Sequence, residues 1–224
     1  MKKLSVFLTF IFAALSVFPG GVSASNAPMP VGTSYGEYIF ASSADGDTNR
    51  NMSCVTEGEH TQYGLKLTPF KTVTDSVKNS EKKIKDTTKA SVKCNVTTAP
   101  EGYNDYFVEV EYLNYSNGFF SISYTDNTGK PKRTEVVCCE DPGDKTKTIF
   151  ERVSAAAKIT EATSETKTRI FRLENVDFSK SEDFSIDTTR TAKKSGYEYS
   201  PQSVYIKSVK VYTDDKLPIK AQVK

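Results

Sequence analysis

The chain of 224 residues has no tryptophan, one histidine, three methionines and four cysteines. With a single imidazole, any Ser-His-Asp or Cys-His arrangement would have to be built on His60. The surrounding Glu57-Gly58-Glu59-His60-Thr61 carries no nucleophile signature, so His60 reads as an exposed loop residue. Glycine loops that cradle phosphate are missing. The cysteines lack the paired two-residue gaps of a zinc knuckle, which argues against that kind of structural metal site. Only Leu4 to Phe18 forms a long apolar run, and nothing after it is long enough to span a bilayer.

That run does have a recognisable use. Lys2 and Lys3 precede it, Pro19-Gly20-Gly21 breaks it, and the small residues of Val22-Ser23-Ala24 follow, which is the order of a secretory signal peptide. Cleavage is expected after Ala24, with Ala27 as the second choice. The expected organisation is a signal peptide over 1–24, a flexible segment over 25–33, one β-sandwich domain over 34–213 and a polar tail over 214–224. Loss of the leader takes two lysines from the 30 basic residues and leaves 28, equal to the 28 acidic ones. A neutral mature chain gives no electrostatic reason to expect nucleic acid or an anionic membrane surface as partner. The expected location is extracytoplasmic, secreted or at the cell envelope.

Cys54, Cys94, Cys138 and Cys139 fit that location, since thiols oxidise there, and four allow three connectivities. A bond within the adjacent pair strains the peptide between them. The preferred pairing joins Cys54 and Cys94 each to one member of the doublet.

The fold signal is period two. Val108, Val110 and Tyr112 alternate with Glu109 and Glu111; Phe120, Ile122 and Tyr124 alternate with Ser121 and Ser123. Asn117-Gly118 between them predicts a β-hairpin with one packed and one wet face. Shorter strands are predicted at Tyr38-Phe40, Tyr63-Leu67, Val92-Val96, Arg133-Cys139, Ile170-Leu173 and Asp183-Asp187. Val204 and Ile206 alternate in one phase and Val209 and Val211 in the other, which predicts a β-bulge near Lys207-Ser208. Glu151 to Ile159 alone favours helix. Ser42 to Asn51 reads as a loop whose Asp45-Gly46-Asp47 suggests a solvated turn, with a structural calcium ion as the sharper alternative. Lys78 to Lys89 reads as an exposed connection rich in lysine. The fold class is all-β, an antiparallel β-sandwich.

The order of several phrases resembles the galactose-binding-like jelly rolls of secreted bacterial carbohydrate-binding modules. The matching words are Gly64-Leu65-Lys66-Leu67, Val110-Glu111-Tyr112-Leu113-Asn114 with Gly118 to Asp126, Phe171-Arg172-Leu173 running on to Phe178, Asp183-Phe184-Ser185-Ile186, and Tyr205-Ile206 with Val209-Lys210-Val211. The resemblance implies a jelly roll that binds a polysaccharide or other glycan and requires no cofactor. The tryptophan often found ahead of the Phe171 strand in such domains is missing, so tyrosine would have to stack on the apolar face of a sugar. Loop tyrosines Tyr35, Tyr103, Tyr197 and Tyr199 are the candidates, with Asn104 and Asp105 as partners for hydroxyls.

The expected function is therefore a non-catalytic carbohydrate-binding module. A structural or adhesive surface protein that contacts another protein is the alternative, and a polysaccharide hydrolase or lyase comes third. A glycosidase would need two carboxylates across a cleft. Glu109 and Glu111 lie on one strand and read as ordinary outward charges. Oligomeric state leaves no trace in the sequence.

Overall fold

The computed structural model describes residues 32–75, 78, 80–86, 88–98, 101–115, 118–139, 164–178, 183–188, 192–194, 197–199 and 203–216. In chain order the strands are β1 (Gly36–Ile39), β2 (Thr48–Arg50), β3 (Met52–Thr56), β4 (Glu59–Thr61), β5 (Gly64–Leu67), β6 (Phe70–Asp75), β7 (Ser80–Lys85), β8 (Ser91–Val96), β9 (Tyr106–Leu113), β10 (Phe119–Thr125), β11 (Pro131–Arg133), β12 (Val137–Cys138), β13 (Thr166–Leu173), β14 (Asp183–Asp187), β15 (Ala192–Lys194), β16 (Tyr197–Tyr199) and β17 (Val204–Tyr212).

They build a sandwich of two antiparallel sheets. The first runs β13-β9-β17-β1-β2, with β5 also beside β17 and β4 beside β5; the second runs β11-β10-β14-β8-β3, with β12 on β10. Two ribbons, β6–β7 and β15–β16, stand apart from both. The inner faces hold the apolar positions that the alternation marked. Val108, Val110, Phe171, Val209 and Val211 from the first sheet are buried with Val92, Phe120, Ile122, Phe184 and Ile186 from the second. Phe120 is packed between Tyr112 and Phe171, with ring centroids at 5.0 and 5.8 Å. Burying such rings supplies roughly 25 cal/mol per Å² of apolar surface and fixes how the sheets face each other. The β-bulge falls where the phase change put it, as the register of β17 against β9 slips between Ile206 and Ser208.

One expectation is overturned at the centre of the fold. β9 and β10 do not form a hairpin: β9 pairs with β13 and β17, whereas β10 pairs with β11, β12 and β14. The chain crosses from one sheet to the other between them. Gly118 is not among the glycines with positive φ, and a β-carbon on it would lie 2.7 Å from Val204 Cγ2 and 2.9 Å from Ser203 O. It is glycine because the crossing passes close to the start of β17, not because a tight turn requires it. Asn117 lies outside the described residues.

The disulfide expectation is also corrected. Cys54 and Cys94 are bonded to each other, directly opposite in the β3–β8 register with Cα atoms 4.1 Å apart. That proximity leaves neither of them for the doublet. Cys139 is buried, and Cys138 opposes Phe119 through β12.

Smaller corrections concern the loops. Part of the lysine-rich run is a strand, since Ser80–Lys85 pairs with Phe70–Asp75. Tyr197 and Tyr199 lie on β16, paired with β15, rather than in a loop. The Ser42 to Asn51 loop is a single 3₁₀ turn at Ala44–Gly46 followed by β2. Arg133 to Cys139 divides into the end of β11 and β12. The tail begins ordered: Asp214–Lys216 form a 3₁₀ turn whose Lys216 carbonyl accepts the Gly32 N–H. The helix expected over 151–159 lies outside the described residues, as does the leader. Among the described residues no helix is long and apolar enough to cross a membrane. The Cys54–Cys94 bond is of the kind an oxidising compartment sustains.

Candidate functional site

Four of the expected site residues lie at one end of the sandwich. The end where β9 begins and β17 finishes carries Tyr35, Tyr103, Asn104 and Asp105. Tyr103 packs on Tyr106 at 6.4 Å and hydrogen-bonds Asp215; burial, then the charge of Asp215 and the neighbouring Tyr35, raise its hydroxyl pKa. Asp105 accepts the Asn175 N–H at 2.9 Å and an Arg172 guanidinium N–H at 2.6 Å. Burial alone would raise its carboxyl pKa, but the Asn175 and Arg172 contacts outweigh that and lower it. Asn104 O accepts the Val176 N–H. These contacts tie the 103–105 loop to the 172–176 segment and to the 214–216 turn. Tyr197 and Tyr199 lie on β16, within the connection that leaves β14 and enters β17 at the opposite end.

Asp47, the carboxylate raised for calcium, is used by the protein itself. Its Oδ1 accepts the Ala41 N–H at 2.8 Å, and its Oδ2 meets the Tyr38 hydroxyl and His60 Nε2, each at 3.0 Å. Burial and that hydrogen bond push the Tyr38 hydroxyl up to about 12. Among the described residues no three His, Cys, Asp or Glu side chains gather as a metal group. His60 is not an exposed loop residue: it lies on β4 with 16% of its side chain accessible and fastens that strand to the 41–47 loop.

The sequence missed a cleft on the outer face of the first sheet. β17 pairs with β5 through Val204–Ile206 and with β1 through Ser208–Val211, on the same side. Between the end of β1 and the start of β5 the sheet is therefore interrupted, right beside the bulge. A cavity of about 310 Å³ opens there, lined among others by Ile39, Gln62, Tyr63, Glu111 and Lys207. Gln62 and Tyr63 form the turn of the β4–β5 hairpin, held by Thr61 Oγ1, which accepts the Tyr63 N–H and donates to Gly64 O. Gly64 at φ 107° lets that turn close against Ile206, whose carbonyl oxygen would be 2.5 Å from any β-carbon there. Tyr205 meets the Tyr63 ring edge-on at 6.2 Å and fixes its position.

Charge around the cleft is ordered in a row across four strands. Arg50, Glu37, Lys210 and Glu109 alternate in sign at 3.8, 3.4 and 3.9 Å. Burial raises the Glu109 carboxyl pKa, the Lys210 ammonium opposes this, and Glu111 and Glu37 add to the rise. Glu111 sits in the next row, accepting the Ser208 hydroxyl at 2.9 Å, and Lys207 Nζ donates to Thr166 Oγ1 at 2.8 Å. A tyrosine, an exposed isoleucine, a glutamine, a glutamate and a lysine thus line one small cavity. The only sequence signal for it was the bulge, a feature that often borders functional sites.

A second, wider concavity of about 640 Å³ lies on the outer face of the other sheet, over β8, β14, β10 and β11. Lys93, Ser185, Ser123 and Arg133 stand in one row across it, directly opposite one another in register. The chain matches no protein-family model and no curated protein sequence.

Proposed function

We propose that this chain is a secreted, non-catalytic β-sandwich that binds carbohydrate, of the galactose-binding-like jelly-roll type, and that it takes a single sugar ring in the cleft beside the bulge. The observation that carries the reading is the pairing of the Tyr63 ring with Gln62, Glu111 and Lys207 around about 310 Å³. A pyranose offers an apolar face for an aromatic ring and hydroxyls for planar hydrogen-bonding groups, and small-ligand sites commonly combine the two in cavities of a few hundred Å³. That size suits a chain end or a protruding side residue. Glu109 is occupied by Lys210 and Glu111 by Ser208, and both project from one strand. They do not face each other across a cleft, which favours binding over glycoside hydrolysis.

Glycan arrays and affinity gels test the proposal. Retention of the wild-type chain by a glycan, with loss on Tyr63→Ala and weakening on Glu111→Gln, is the expected result. Retention unchanged by Tyr63→Ala, or no retention on any plant, host or bacterial glycan, counts against it.

A further inference from the structure

The wide groove of the second sheet has its own chemistry. Three cations line it, and each is more accessible than the acid it pairs with: Lys93 is 61% exposed against 32% for Asp183, Lys132 50% against 5% for Asp126, and Arg133 39% against 20% for Asp187. The acids are also held by protein donors. Asp183 accepts the Asn95 amide at 2.9 Å, Asp187 the Ser123 hydroxyl at 2.5 Å, and Asp126 the hydroxyl and N–H of Thr128 together with the Lys130 N–H. Although the charges balance in number, the outermost layer is therefore cationic. Each cation keeps unshared N–H donors: one carboxylate cannot saturate an ammonium, and Arg133, whose Nε–H also goes to Ser121 Oγ at 2.7 Å, has five N–H groups.

We propose that this groove is a second binding site, for an anionic glycan chain whose carboxylates or sulfates rest on Lys93, Lys132 and Arg133 while its hydroxyls meet Ser123 and Ser185. Lys93 and Arg133 stand three strand spacings apart in one row, about 14 Å, so the groove accepts an extended run of sugars and not one ring. Its rim position makes the contact screenable by salt. The inference rests on the reading above only in taking the ligand to be a glycan; the residues, the face and the charge preference are separate.

Gel retardation of the full chain in polygalacturonate, its methyl ester, dextran sulfate and plain dextran tests it. Retardation is expected by polygalacturonate, dextran sulfate or both, and the pattern says whether carboxylate or sulfate is preferred. It should disappear in about 1 M salt, where the screening length is near 3 Å. The variant Lys93→Gln/Lys132→Gln, folded by its circular dichroism, should bind the retained polymer about tenfold more weakly. The Tyr63→Ala chain should bind it as the wild type does. Full binding by the lysine variant, equal retardation by the methyl ester, or no retardation by either acidic polymer overturns the proposal. So does loss of acidic-polymer binding on Tyr63→Ala. Conversely, acidic-polymer binding that survives while every neutral glycan fails would remove the cleft reading and leave this one standing.

Discussion

Gly118 lies so close to Val204 that a β-carbon on it would sit 2.7 Å from the valine Cγ2, closer than carbon atoms pack. The backbone oxygen of Ser203, at 2.9 Å from the same point, closes the other side. Gly118→Ala must push the β9–β10 crossing away from the first residue of β17. The expected cost is about 1–3 kcal/mol, the range of overpacked core positions. It is read as a lower urea midpoint with an unchanged slope, and a midpoint equal to wild type would show that the crossing has room.

The Cys54–Cys94 bond joins an edge strand to its neighbour over 40 residues of chain. Loop-closure entropy for that length gives about 4 kcal/mol, with 2–4 kcal/mol the usual yield. Non-reducing peptide mapping should recover the two cysteines in one linked pair. The Cys54→Ser/Cys94→Ser chain should unfold at markedly lower urea. A linked peptide that joins Cys54 to Cys138 or Cys139 would contradict the structure.

Much of this architecture was legible in the sequence, and the exceptions have physical causes. Alternation placed β8, β9, β10, β13, β14 and β17 and the bulge after Ile206, because one buried face imposes period two. The same alternation is silent about which partner a strand takes. A strand that packs its face across the core on another sheet has the pattern of one that pairs in a hairpin, so Tyr112 and Phe120 looked like neighbours in one sheet although they meet ring to ring between two. Cys54 and Cys94 sit on strands joined through register, which sequence spacing does not encode. Of the cleft beside the bulge, Tyr63 was read only as the start of a strand, and Gln62 drew no notice. Their cleft exists only because β1 and β5 share one side of β17.

Glu109 gives a pH-dependent signature. Its carboxyl pKa is raised above 4.5 by burial first, so the folded state holds the proton more tightly than the unfolded chain does. Stability is therefore lost as pH climbs from the unfolded value through the folded one. Glu109→Gln should raise the thermal midpoint at pH 7, and that gain should vanish below about pH 4. A variant less stable than wild type at pH 7 would mean that the Lys210 contact outweighs the burial.

Asp126 has the opposite sign. The Thr128 hydroxyl, then the Lys130 N–H, hold its carboxyl below the usual 3.8. A depressed value means stability that is present above the unfolded pKa and lost as pH falls through the folded one. Asp126→Asn should lower the urea midpoint at pH 7, with the difference closing as the pH drops below 3.8. A deficit that stays constant down to about pH 2 would show that the carboxylate charge is not what holds the 126–130 turn.

β17 has one more consequence. The last of the described strands occupies the middle of the first sheet, with β9 on one flank and β1 and β5 on the other. Until Val204–Tyr212 arrives, the earliest and the central segments have no common partner, and the sheet cannot close. Because Gly36 pairs with Val211 and Leu65 with Ile206, closing this sheet costs more loop-closure entropy than joining strands adjacent in the chain would.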